Sequence, residues 1–103
     1  MIRVNVFYPY TPGAKFDMAY YVNEHIPMVQ KKLGSAVKGV TVDQGFSGGA
    51  PGAPMTYIAM GHILFDSLEA FKASFGAHAA EINADIPNYT AIVPIFQISE
   101  VKL

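Results

Sequence analysis

Three histidines are the side chains of this 103-residue chain best suited to acid or base chemistry near neutral pH. Imidazole has an ordinary pKa of about 6.5, so a modest change of environment makes it a usable acid or base. His25 follows Tyr21 by one helical turn and precedes Pro27 by two residues. We predict that His25 is a catalytic acid or base. The competing interpretation is a half-buried histidine that donates to a backbone carbonyl, including the one that Pro27 leaves without its amide partner.

The other two histidines have different expected environments. His62 lies in an apolar run typical of a strand, where a lone imidazole must find a partner or line a pocket. His78 lies near Glu81 on a segment with helical periodicity, and we expect it to be solvated. The spacing of the histidines fits no local metal motif such as HExxH, so we predict no metal site.

Six tyrosines are many for a chain of this length. Aromatic rings line pockets for flat ligands, and the tyrosine hydroxyl adds a hydrogen-bonding group, although the ordinary role of a tyrosine ring is core packing. The residues that we predict to bind or orient a substrate, in addition to the catalytic candidate, are Tyr8, Tyr21, His62 and Tyr89.

Composition excludes several functional classes. Seven Lys and Arg against eight Asp and Glu leave a net charge of −1, which disfavours binding to nucleic acid or anionic lipid. The absence of cysteine excludes disulfides and thiol nucleophiles. The N-terminal residues MIRVNVFYPY lack the pattern of a signal peptide, and no apolar run approaches the roughly 20 residues of a membrane span. We therefore expect a cytoplasmic protein with neither nucleic-acid nor membrane partners.

The pattern of apolar residues predicts four strands and two helices in one domain covering residues 1–103. Period-two or β-branched runs predict strands over 2–8, 37–46, 55–65 and 90–101, while three- and four-residue spacing predicts helices over 16–33 and from an Asp66 N-cap onward. Pro27 should kink the first helix, and Gly76 should weaken the second. Pro94 favours an edge position for the last strand.

This βαββαβ order predicts a ferredoxin-like α+β sandwich, with a four-stranded antiparallel sheet and both helices on one face. The alternating residue sets of strands three and four are both rich in apolar side chains. A half-solvated sheet should alternate apolar and polar residues, so the helix-free face needs a cover. We predict that a second copy supplies it, in a homodimer of the dimeric α/β-barrel type.

Several segments carry a resemblance that spans essentially the whole chain: FDMAYYVNEHIPMV, GGAPGAP, DSLEAF and ADIPNYTAIVPIFQISEV. With them the sequence resembles the ethyl tert-butyl ether degradation (EthD) family of the dimeric α/β-barrel superfamily. Its most specific elements are an aromatic-rich helix followed by His-x-Pro, at His25 and Pro27 here, and the IPNY segment at 86–89. The resemblance implies a sheet-to-sheet dimer and a pocket between helices and sheet in which His25 is the favoured polar group.

The resemblance implies a scaffold more firmly than a reaction. Relatives in the superfamily include cofactor-independent monooxygenases, lactone isomerases, polyketide cyclases and haem-binding enzymes. We expect a small dimeric enzyme without metal, flavin or other cofactor, monooxygenase-like or an isomerase or cyclase, acting on a small cyclic or aromatic substrate. Haem would need an axial ligand, and no residue stands out as one. The alternatives are a non-catalytic dimeric carrier of a small hydrophobic molecule and, less favoured by the charge balance, an RNA-recognition module.

Overall fold

The computed structural model describes residues 1–103 as one α+β unit. The strands are β1 (Ile2–Pro9), β2 (Gly39–Gln44), β3 (Tyr57–Phe65) and β4 (Ile95–Glu100). The α-helices are α1 (Met18–Tyr20), α2 (Ile26–Leu33), α3 (Leu68–Gly76) and α4 (Ala79–Ala84). A π-helical turn (Tyr21–His25) joins α1 to α2, and short 3₁₀ turns follow α2 and α4 at Gly34–Ala36 and Ile86–Asn88.

The sheet confirms the predicted fold class. Its order is β2-β3-β1-β4 and all three pairings are antiparallel, which is the ferredoxin-like arrangement. The last strand is shorter than predicted and begins only after Pro94. It lies at the sheet edge, as expected for a segment with a proline that cannot donate to the ladder.

The first helical region changes its hydrogen-bonding pattern where Pro27 was predicted to disturb it. Ile26 N–H bonds back to the Tyr21 carbonyl, five residues earlier, which makes a π-helical turn that ends at His25. Pro27 has no amide hydrogen and lies in the first turn of α2, where that loss is tolerated. The inserted residue of a π-turn rotates the side chains that follow it, and such turns are common at functional sites.

The second helical region differs from the prediction at its start and agrees with it in the middle. Ser67, and not Asp66, is the N-cap of α3, since the Ser67 hydroxyl accepts a hydrogen bond from Ala70 N–H at 3.1 Å. The helix ends at Gly76, where glycine was expected to weaken it, and restarts as α4. None of the helices has the length and apolar character that a membrane span requires.

Side chains that pack against the helices alternate along β1 with those that point away. Val4 and Tyr8 face the helices and are buried. They divide between two apolar clusters that pack the helices onto this face. The first cluster consists of Tyr8, Tyr21, Ile26, Ala59, Tyr89 and Ile92. The second consists of Val4, Val29, Leu33, Phe65 and Ile82.

The helix-free face is more polar than the sequence suggested. Asn5 pairs with His62 on one side and with Gln97 on the other, and its side chain is buried. Asn5 Nδ2 donates to the Gln97 carbonyl and to Ser99 Oγ. A polar ladder therefore crosses the middle of this face, and apolar side chains such as Phe7 flank it. Strand three places the apolar residues Met60 and Leu64 on this face. In strand four, Phe96 and Ile98 pair with Val6 and Val4 of β1 and lie on the helix side, so the apolar set of that strand on the helix-free face is reduced to Ile95.

The Ser67 cap can be tested by substitution with alanine. Ser67→Ala removes the acceptor for Ala70 N–H and should lower the free energy of unfolding by about 1 kcal/mol. Urea denaturation followed by circular dichroism measures the change. Ser35→Ala is the matched control because no side-chain hydrogen bond is formed by Ser35, and it should change the free energy of unfolding by a few tenths of a kcal/mol at most. Equal effects of the two substitutions would contradict the assignment of the cap.

Candidate active site

His25 lies at the end of the π-helical turn and is only 5% exposed. Its Nδ1 atom is 2.9 Å from Oδ2 of Asp85, a residue sixty positions later in the chain. Its ring stacks on Tyr21 at a centroid distance of 5.6 Å, and the Tyr89 ring lies 4.7 Å away. The π-turn thus places the imidazole among aromatic rings with one nitrogen on a carboxylate.

The Asp85 carboxylate is anchored by three donors. Oδ1 accepts from the Tyr20 hydroxyl at 2.7 Å and from Asn88 Nδ2 at 2.8 Å, while Oδ2 faces His25. Burial opposes ionisation of this carboxyl group, but the hydrogen bonds from these donors outweigh it and lower the pKa of Asp85. The group is therefore a carboxylate at neutral pH.

The ionised Asp85 fixes the tautomer of His25. A carboxylate can only accept, so His25 Nδ1 carries the hydrogen and donates it. Burial lowers the pKa of His25, and the bond to Asp85 and its negative charge oppose that shift without cancelling it. At neutral pH the ring is neutral, with its proton on Nδ1 and a lone pair on Nε2.

His25 Nε2 has no hydrogen-bond partner within the chain, since the one hydrogen bond of the ring is made by Nδ1. The His25 ring is also one of the groups that line a hydrophobic cavity. A neutral imidazole with one nitrogen on a carboxylate and an unpaired lone pair on the other is suited to act as a general base.

Two tyrosine hydroxyls lie together beside this imidazole. Tyr8 Oη and Tyr89 Oη are 2.6 Å apart, and either can donate. Burial is the main reason why the pKa of each is raised, to values at which the hydroxyl keeps its proton at any physiological pH. One hydroxyl of the pair can donate to its partner while the second proton remains available to another acceptor.

Tyr21 is a third buried tyrosine in the group. Burial, with the neighbouring Tyr8 hydroxyl, raises its pKa as well. A Cβ at Gly61 would collide with the Tyr21 hydroxyl, so glycine on β3 makes room for this ring. Tyr21 therefore occupies the space between the sheet and His25.

A cavity of about 330 Å³ runs beside the His25 ring between the helices and the sheet. Fifteen of its seventeen lining residues are hydrophobic, and they come from both apolar clusters. Phe96 and Ile98 of β4 line it although they are 53% and 45% exposed, so its mouth lies along this edge strand. A volume of this size, with few polar groups, is typical of a site for a compact organic ligand.

The structure brings together four of the five residues proposed from the sequence. His25, Tyr8 and Tyr21 line the cavity, and Tyr89 contacts His25 and Tyr8 from behind. His62 lies apart from them, on the helix-free face of the sheet, because it is cross-strand partner to Asn5.

His62 has two polar neighbours on that face. Its Nδ1 is 2.7 Å from Asn5 Oδ1, and its Nε2 is 3.3 Å from Asp43 Oδ2. Both ring nitrogens therefore have an oxygen neighbour on the side of the sheet away from the cavity. His78, expected to be solvated, is half-buried with Nδ1 fully covered.

Sequence reasoning missed the groups that hold the imidazole. Asp85 and Asn88 belong to the segment that carries the resemblance, but nothing in their spacing links them to His25. Tyr20 was counted among the tyrosines and not chosen, because its hydroxyl partner became visible only in the fold. No three His, Asp or Glu side chains converge in a way that could hold a metal ion.

The fold and site define a small ferredoxin-like α+β protein with a hydrophobic cavity and a histidine–aspartate pair at its wall. The profile of the EthD domain matches residues 14–92, so this chain belongs to the EthD domain family. No match to a curated protein was found.

Three solved structures illustrate the relationship. An EthD-like protein from Ralstonia eutropha has 53% sequence identity and a TM-score of 0.95, with 99% of this chain and 92% of that chain covered. A putative antibiotic biosynthesis monooxygenase from Bordetella bronchiseptica has 16% identity and a TM-score of 0.64, covering 99% and 97%. A dimeric ferredoxin-like protein of unknown function from Thermobifida fusca has 16% identity and a TM-score of 0.58, covering 97% and 90%. The latter two share the fold alone.

The charge state of His25 can be measured by NMR titration of its ring nitrogens. Because burial outweighs the attraction of Asp85, we expect an apparent pKa below the ordinary value of about 6.5. Asp85→Asn removes the negative charge and should lower the pKa of His25 further.

Asp43→Asn is the matched control, because it removes a carboxylate that contacts His62 and not His25. It should leave the titration of His25 unchanged. A His25 pKa at or above 6.5, or one that rises in Asp85→Asn, would contradict the described electrostatics.

Proposed function

We propose that this protein is a small enzyme that uses His25 as a general base on a compact cyclic or aromatic substrate, without a bound cofactor. The observation that carries the proposal is the pairing of His25: Nδ1 lies on the Asp85 carboxylate, while Nε2 has no partner in a ring that lines a hydrophobic cavity. Proton abstraction from a carbon next to a carbonyl, or from a phenol, is the step that this arrangement suits best.

The proposed step begins with a substrate whose acidic hydrogen points at His25 Nε2. The imidazole takes the proton and becomes an imidazolium, which the adjacent Asp85 carboxylate stabilises. Electron density moves to the substrate oxygen, where a hydroxyl of the Tyr8 and Tyr89 pair can donate a hydrogen bond. Tyr21 and Tyr89 pack against the imidazole ring and orient it.

The resulting carbanion or phenolate can take several courses. Return of the proton to another carbon is an isomerisation, and attack on a second carbonyl of the same molecule is a cyclisation. Reaction with dioxygen would be a monooxygenase-like oxidation in which the substrate supplies all four electrons: a CH2 group becomes a carbonyl that keeps one oxygen atom, and the other oxygen atom leaves as water. The fold that this chain shares with a putative antibiotic biosynthesis monooxygenase supports keeping the last course beside the first two.

The second candidate function is a non-catalytic carrier of a small hydrophobic molecule. The nearly complete hydrophobic lining of the cavity favours it. The two functions differ in whether His25 exchanges a proton with the ligand. A protein that binds cyclic ketones or phenols without accelerating any proton exchange would be the carrier.

We also propose that the protein acts as a homodimer whose subunits pack through their helix-free sheet faces. A shared fold with a dimeric ferredoxin-like protein supports this assembly. Ile95 lies on that face as the cross-strand partner of Phe7 and is 51% exposed in the single chain. A second copy would cover these apolar flanks, and the polar ladder between them would fix the register of the two sheets.

Proton abstraction can be detected before the natural substrate is known. We expect the protein to accelerate hydrogen–deuterium exchange at the carbon next to the carbonyl in some members of a panel of cyclic ketones, followed by proton NMR in deuterated water. His25→Gln should slow this exchange by about 100-fold or more because the base is removed. The rate should also fall as the pH falls through the lowered pKa of His25, since the protonated ring cannot accept a proton.

His78→Gln is the control for that experiment, since it removes an imidazole that does not line the cavity. It should leave the exchange rate unchanged. Exchange that persists at the wild-type rate in His25→Gln would remove His25 from the mechanism.

The assembly can be tested by one charge on the helix-free face. Ile95→Glu should convert the dimer to a monomer in light scattering coupled to size-exclusion chromatography, because it would bury a carboxylate without a partner. Val22→Glu is the control, as it places the same charge at a 39% exposed apolar position of the π-helical turn. It should leave the dimer intact. A wild-type protein that is monomeric at micromolar concentration would refute the assembly.

A further inference from the structure

The charges around the cavity are distributed unevenly. None of the seven Lys and Arg residues lines it. Arg3, the only arginine, is cross-strand partner to Leu64 and Ser99 on the helix-free face. Lys32 pairs with Glu81 outside the cavity. A buried ligand would therefore meet no positively charged side chain of this subunit.

A negatively charged group contacts the wall of the cavity. Asp85 is ionised and lies directly behind the His25 ring, which is itself neutral at physiological pH. The Nε2 lone pair of this ring, which lines the cavity, adds a second centre of negative potential. A ligand carboxylate at this wall would be repelled and would lose its hydration without gaining an ion-pair partner, which is a large cost in an apolar cavity.

A cationic ligand would also find no ion-pair partner in the cavity. Both Asp85 oxygens are already engaged, Oδ1 by Tyr20 and Asn88 and Oδ2 by His25. The carboxylate is also not among the groups that line the cavity, so it presents no oxygen to a ligand there. The polar groups among the lining residues are the His25 imidazole, the Asn83 amide and the protonated hydroxyls of Tyr8 and Tyr21, none of which carries a charge at neutral pH.

From this distribution we propose that the cavity selects uncharged ligands, namely neutral cyclic ketones or phenols, and rejects carboxylates of the same shape. The inference rests on the site of the proposed function and names its substrate class. An acidic C–H or O–H fits the Nε2 acceptor, and a carbonyl or phenol oxygen fits the tyrosine hydroxyls. A volume of about 330 Å³ accommodates a ligand of about two fused rings.

Two probes of matched shape test this selectivity. The neutral probe is 2-acetylnaphthalene and the anion is 2-naphthoate, which differ mainly in whether a methyl group or a charged oxygen stands beside the carbonyl. We expect the ketone to bind at least about tenfold more tightly than the anion at pH 7.5, measured by ligand-observed NMR titration. Equal or tighter binding of the anion, or no binding of either probe at millimolar concentration, would overturn the proposal.

A cation placed at the mouth should reverse the preference. Ile98→Lys puts an ammonium group on a half-exposed residue that lines the cavity, and it should raise the affinity for 2-naphthoate by about tenfold. Gln30→Lys adds the same charge at an exposed position of α2 that does not line the cavity, so it should leave both affinities unchanged. An equal gain in affinity for 2-naphthoate in the two variants would mean that the added charge attracts the anion from anywhere on the surface. That result would contradict selection by the cavity.

These measurements separate the inference from the proposed function. Charge selectivity is read from binding alone and must persist in His25→Gln, where proton exchange is lost. If His25→Gln keeps its proton exchange and the ketone is still preferred, the proposed base is wrong and the ligand class is right. If exchange depends on His25 but the carboxylate binds as well as the ketone, the ligand class is wrong and the base is right.

Discussion

The hydrogen bond between His25 and Asp85 is the interaction on which the site depends. It joins the π-helical turn of the first helical region to the segment that leads into the last strand. A neutral imidazole alone could carry its proton on either nitrogen, and only one tautomer leaves the lone pair on the unpartnered Nε2. Because the carboxylate is already bound by two other donors, it holds the imidazole in that tautomer.

Burial acts in opposite directions on the chemistry of this site. It lowers the pKa of His25 and raises those of Tyr8 and Tyr89, so the imidazole stays a base and the hydroxyls stay donors over the same pH range. Burial therefore keeps the imidazole as the acceptor and the two tyrosine hydroxyls as the donors at the same pH. The same apolar surroundings make an unpaired charge in the ligand costly.

The two faces of the sheet carry different groups. The helix side holds both apolar clusters, the cavity and the His25 group. The helix-free side holds the ladder of Asn5 and His62. The ring nitrogens of His62 have oxygen neighbours on that face and lie away from the cavity. A shift of one residue in the register of β3 would turn His62 to the helix side, so the pairing of β1 with β3 decides that His62 faces away from the cavity.

The sequence by itself determined the element order, the fold class and the disturbance at Pro27, because these follow from local periodicity and from the missing amide of proline. It also singled out His25, through a local helical spacing and a family motif. Only the tertiary structure decided that Asp85 orients His25 and that His62 faces the other way. Those facts depend on contacts across about sixty residues and on strand register, and neither leaves a trace in local sequence patterns.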